Sequence, residues 1–146
     1  MAITSAICNS FKQEILEAEH NFTASTGNTF NLALYDSDAS LGAGTTAYTT
    51  SEEITNTSGT AYSAKGKALT SVTPTLDSST AVCDFADVSW TSASFTARGC
   101  LIFNDSHSTD ASVCAIDFGG DKTATSGTFT IQFPAASATA AIIRIA

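Results

Sequence analysis

A chain of 146 residues with 14 acidic and 6 basic side chains carries a net charge of −8, a sign that repels phosphate backbones, so no nucleic-acid partner is expected. Charged residues make up only 14% of the chain against 43% hydrophobic ones, and Ser, Thr and Ala fill more than two fifths of it, a small, hydroxyl-rich surface of the kind that strand faces and close subunit contacts use. No apolar run approaches the roughly 20 residues that cross a bilayer as a helix, so no membrane partner is expected either.

The length suits one β-rich domain over 1–146, with an N-terminal arm and helix over about 1–26 and a β domain over about 28–146. "MAITSAI" at the start lacks the basic residues of an export signal. It is uncharged and mildly apolar, and Ile3 and Ile7 give it the character of an arm that orders against a neighbour. In "FKQEILEAEHNF" the residues Phe11, Ile15, Ala18 and Phe22 step by four, three and four, which predicts a helix of about fifteen residues with one apolar face, ending before Gly27. Ser10 and Gln13 have the spacing of a capping box at its start. Glu17 and His20 have the i, i+3 spacing of a carboxylate–histidine metal motif. With Phe11 at zero, however, helical steps put them at about 240° and about 180°, away from the stripe, and no partner helices follow. The expectation is a solvated face, with Leu16 as an apolar residue off the stripe and a candidate subunit contact.

Beyond Gly27 the pattern is strands and turns. "TFNLALYD" puts Phe30, Leu32 and Leu34 on one side, and "AVCDFADVSW" alternates with an irregularity at its two aspartates. "SFTARGCLIF", "SVCAIDF", "GTFTIQF" and "AAIIRIA" follow as short strands, and "GGDKTATSG" supplies turn residues between the second and third of these segments. The stretch from Leu41 to Ser79 predicts short strands and long loops. The expected fold class is mainly β: an antiparallel β-sandwich or barrel with one N-terminal α-helix packed on it. At the end, Ile143 and Ile145 alternate with Ile142 and Arg144, the pattern of a strand buried on both faces and placed to pair with another subunit's edge.

Little in the chain points to chemistry. Cys8, Cys83, Cys100 and Cys114 form no CxxC pair and match no zinc spacing, so no metal cage is expected, and Cys83, Cys100 and Cys114 read as buried strand thiols. If 95–103 pairs with 112–118 around a loop centred near His107, Cys100 and Cys114 fall opposite each other, and whether they bond is open. Ser106, His107 and Asp110 in "NDSHSTD" invite a triad, but neighbours on one hairpin tip do not converge as triads do. "DSDAS" from Asp36 begins like a calcium loop, yet Leu41 and Ala47 stand where Gly and Glu are needed. "GKALT" at Gly66 lacks the upstream glycine of a phosphate loop. Trp90 is expected in the core, which leaves Tyr35, Tyr48 and Tyr62 as candidate sugar platforms. No catalytic, cofactor or metal residue is assigned.

The order "SFKQEIL…HNF…FNLALY…LGAGTTAYTT…DFADVSW…ARGCLIFND…DFGGDKTATSGTFTIQFPA…IIRIA" resembles a group of small β-rich virion structural proteins of tailed bacteriophages, over nearly the whole chain. The resemblance implies a non-enzymatic virion component, made in the host cytoplasm and functioning as a capsid decoration, or cement, protein on the capsid surface. It would be a homotrimer whose partner is the major capsid protein. A tail, baseplate or fibre-attachment protein is the alternative, followed by a glycan-binding attachment module. The candidate contact residues are Ile3, Ile7, Leu16, Ile143 and Ile145.

Overall fold

The computed structural model describes residues 2–55 and 59–146. Among them, one helix and eight strands follow in the order β1 (Ala6–Ile7), α1 (Asn9–Leu16), β2 (Phe30–Tyr35), β3 (Lys67–Ala68), β4 (Ser71–Asp77), β5 (Thr80–Phe85), β6 (Val88–Asn104), β7 (Ser112–Ile131) and β8 (Ile143–Ile145). The strands pair antiparallel into a five-stranded sheet of order β1-β7-β6-β2-β3 and a three-stranded sheet of order β4-β5-β8. This is the β-sandwich form of the expected fold class, with one short N-terminal helix.

The main core lies between the sheets, where Leu32, Leu34, Cys100 and Ile102 of the large sheet meet Cys83, Phe85 and Ile143 of the small one. Phe22 and Phe30 stack nearly parallel in it, ring centroids 4.2 Å apart, and burying one such ring is worth about 1.5–3 kcal/mol. The other face of the large sheet is covered as well. Ala33, Tyr35, Leu101 and Phe103 pack there against Ile3, Ala39 and Leu41 from the chain start and the loop after β2. A strand with two buried faces needs no polar alternation, which is why "LALY" is apolar without a break.

In the helix and the β6–β7 hairpin the backbone departs from the sequence expectations in four ways. The helix is eight residues long and stops at Leu16. Ala18 takes φ 61°, a left-handed conformation that ends helical propagation, and it lies exposed. Phe22 therefore reaches the core from the connector after the helix. The capping box is absent: Cys8 is the N-cap, no side chain caps the helix, and the buried Ser10 hydroxyl has no hydrogen-bond partner.

The third difference concerns "GGDKTATSG", which is strand and not a turn. β6 and β7 run together through it, and the register jumps from Ala97↔Lys122 to Gly99↔Asp117, so the extra residues form a bulge. Gly119, at φ 74°, and the Asp117 side chain serve that bulge. Asp117 Oδ1 accepts the Gly119 N–H at 3.0 Å and pairs with Arg98 Nε at 3.1 Å, and both contacts, in that order, lower the carboxyl's pKa. Fourth, the β6–β7 turn is centred one residue later than expected, which moves each partner by two. Cys100 faces Ile116, Cys114 faces Ile102, and all four cysteines are free and buried.

Candidate functional site

The short α1 and the overhanging end of the small sheet build an open apolar surface. β4 is an edge strand exposed along nearly its whole length. Its Leu76 pairs with Ala81 of β5, and Ala81 pairs with Ile145 of β8. Cross-strand partners share a face, so these three form a row across the sheet. Leu76 is 72% exposed and Ile145 58%. Further along the same face Cys83 and Ile143 are buried in the main core, so the row is the part of an inward face that extends beyond its cover. Ala81 and Ile145, with Pro74, Ile15 and Ala18, line a groove of about 470 Å3 between the helix end and the sheet. A second groove, of about 630 Å3, is lined by Phe118, Phe129, Ile131, Phe133 and Ile142, beside the end of β7.

The five candidate contact residues separate by position. Ile3 is buried in the second core and bridges Leu41. Ile7 is half-buried and pairs with Cys114. Ile143 is buried against β5. These three serve the chain's own fold. Leu16, at 88% exposure, and Ile145 remain on the surface. The N-terminal segment is thus docked, not a free arm, and β8 is apolar toward the core but exposes Arg144 and Ile145.

The polar candidates are distributed differently from their spacing. His20 is buried, correcting the solvated face expected of it, because the helix has ended before it and helical angles no longer apply. Its Nε2 lies 2.8 Å from Glu14 Oε2 and its Nδ1 lies 3.1 Å from Asn104 Nδ2, while Glu17 is exposed and accepts from Gln13. Ser106, His107 and Asp110 each face elsewhere. The Ser106 hydroxyl accepts the Thr29 N–H, His107 contacts Thr109 and Glu19, and Asp110 pairs with Lys65 at 2.8 Å. Around Asp36, the carboxylates of Asp36, Asp38 and Glu52 lie within 4.8 Å of one another, with Asp38 and Glu52 exposed. Glu52, beyond the span of any calcium-loop pattern, had no sequence signal.

Tyr35 and Tyr62 are buried and Tyr48 is half-buried on Phe103, so two of the three sugar-platform candidates have no exposed ring. Trp90 is buried as expected. The tyrosines instead surround Glu53. Tyr48 and Tyr62 donate to its carboxylate at 2.6 and 2.7 Å, and the Lys65 N–H donates at 2.7 Å. Desolvation first, then Glu53, pushes the Tyr48 phenol up to about 12, and burial raises Tyr62 and Tyr35 further. Lys65 joins Asp105 and Asp110 across the hairpin, and those two hydrogen bonds, Asp110's first, raise its pKa. Neither the Glu53 hub nor the Glu14–His20–Asn104 contact has a spacing by which a sequence would show it. No protein-family model, curated protein or solved structure matches the chain.

Proposed function

We propose that this chain is a non-enzymatic bacteriophage virion structural protein, a decoration protein that binds the outer surface of the head as a homotrimer and bridges major capsid subunits. The observation that carries the reading beyond the sequence resemblance is the exposed apolar row Leu76, Ala81 and Ile145 beside its groove, on a chain with few charges to desolvate. Shallow apolar contacts repeated by the symmetry of a shell add up without any one of them being strong. The interface area gained on docking would offset the outward pressure of the packaged genome.

Quantitative mass spectrometry of particles from a phage encoding the chain tests this. Copy numbers near that of the capsid protein support decoration, while a few tens of copies per particle would move the chain to the tail, baseplate or fibre attachment. Absence from particles would overturn the virion reading. In a head-binding assay, Ile145→Asp and Leu16→Asp are expected to weaken attachment while the protein keeps its fold. Unchanged attachment in both would remove this surface from the interface.

A further inference from the structure

We propose that Leu16 and Glu17, at the exposed end of α1, dock on a second copy of this chain, in the apolar groove beside its Lys122. The inference rests on the homotrimer reading above and names the contact that would hold it. Leu16 is the last residue of α1, and the left-handed turn at Ala18, φ 61°, ends the helix just beyond it. Five residues after Phe11, it stands about 140° round the helix from that buried ring. At 88% exposure it belongs to neither core, so it projects as an apolar knob. Its neighbour Glu17 is the C-cap, at the negative end of the helix dipole, and no basic residue occupies the last turn. Glu17 accepts one hydrogen bond, from Gln13, and pairs with no cation among the described residues. A carboxylate there is unfavourable for the isolated chain, and a local rule broken in this way is expected where an outside contact compensates it.

The groove beside the end of β7 has the complementary character. Phe118, Phe129, Ile131, Phe133 and Ile142 line its 630 Å3, and the exposed Lys122 completes the lining. All of these apolar residues except Phe129 are only half-buried, so the chain does not fill the space itself. Lys122 pairs across the hairpin with the buried Ala97 and so stands on the core side of β7, away from Arg98 and its two aspartates. Of the six basic residues, the other five are committed. Lys65 joins Asp105 and Asp110, and Arg98 joins Asp117 and Asp121. Lys12 donates to Asn9, Lys67 to the Ser89 carbonyl and Arg144 to the Ala138 carbonyl. Lys122 has neither an ion pair nor a hydrogen bond among the described residues. An apolar knob beside a carboxylate thus meets its counterpart in an apolar groove beside an ammonium group. The two are different patches, so each contact takes one from each of two copies. Head-to-tail contacts of this kind close into a ring, where three copies make three contacts and an open pair makes one. The row Leu76, Ala81 and Ile145 is not used and stays available to the shell.

Sedimentation equilibrium of the whole chain tests this with four variants, each checked for an unchanged far-ultraviolet circular dichroism spectrum. Wild type is expected to be a trimer. Leu16→Asp should weaken assembly about tenfold or more. Glu17→Lys and Lys122→Glu should each weaken it roughly fivefold. The double variant restores the pair with its ends exchanged and should return to within about twofold of wild type. The two single reversals separate a specific pair from bulk repulsion. Glu17→Lys moves the net charge of −8 toward zero and Lys122→Glu moves it away, so repulsion alone would make the first assemble better than wild type. That result, a double variant no better than the weaker single, or assembly indifferent to Leu16→Asp would overturn the contact and leave a trimer held elsewhere. A dimer that follows the same pattern of loss and rescue supports the contact and overturns the trimer. A wild-type chain that stays monomeric up to millimolar concentration overturns both, and the copy-number test of decoration stands apart from all of these.

Discussion

Replacing Tyr62 with Phe tests the Glu53 hub, because it removes one oxygen and leaves the ring in place. That oxygen accepts the backbone N–H of Leu34 at 2.9 Å and donates to Glu53 at 2.7 Å. Leu34 is fully buried, so its N–H would lose this partner without gaining water, at a cost of about 1–3 kcal/mol. Glu53 keeps its bonds from Tyr48 and Lys65 and is half-buried, so its lost donor adds only about 1 kcal/mol. The sum, about 2–4 kcal/mol, corresponds to a fall in Tm of roughly 5–15 °C for a chain of this size. Tyr48→Phe is the control. Its hydroxyl reaches the same carboxylate but bonds no buried backbone donor, so its cost should be about 1 kcal/mol. Urea unfolding with unchanged m-values measures both. A Tyr62→Phe cost below about 0.5 kcal/mol, or no greater than that of Tyr48→Phe, would refute the view that this hydroxyl holds the β2 backbone.

Gly66→Ala should destabilise by about 3 kcal/mol or more, since Gly66 has φ 65° and an added methyl would run into the Leu32 carbonyl; a melting curve within a few degrees of wild type would refute it. Alkaline pH should destabilise the fold. Burial pushes the thiols of Cys83 and Cys114 up from 9.0 to about 12, so the folded chain holds protons that the unfolded chain releases. Stability is then complete below pH 9 and falls as pH rises toward 12. Melting temperatures measured between pH 8 and 11 should decline, and replacing both cysteines with Ala should flatten the decline; an unchanged slope would count against the thiols as its source.

The core was legible wherever burial imposed a period. Phe30, Leu32 and Leu34, the pair Cys83 and Phe85, and Trp90 all lie inside as their alternation predicts. Helix length was not legible, because the 11, 15, 18, 22 series continues past the residue where the backbone turns. Phe22 is buried as predicted, but through stacking on Phe30 and not through a helical face. "GGDKTATSG" failed for a related reason: turn residues also serve bulges, and only the partner strand decides which. His20 and Glu53 depend on residues from separate elements, and a single sequence carries no record of which loops meet. Of the candidate contact surface, Leu16 was visible as an off-stripe residue, whereas Leu76 gained meaning only from its row with Ala81 and Ile145.

The long β6–β7 hairpin also orders events in time. Its strands are neighbours in sequence, joined by a turn over 105–111, so they can zip as soon as both exist. β1, by contrast, pairs Ala6 with Ala115 and Ile7 with Cys114, across a loop whose closure is entropically slow. During synthesis the first strand made has no partner until some hundred further residues have left the ribosome. Pulse-labelled hydrogen exchange should find amides of β6 and β7 protected before the Cys8 amide, which bonds to Val113; simultaneous protection would refute that order. The N-terminal segment thus docks only after the hairpin has formed, and until then Ile3, Phe11 and the faces they cover remain open to whatever chaperone or sister chain is nearby.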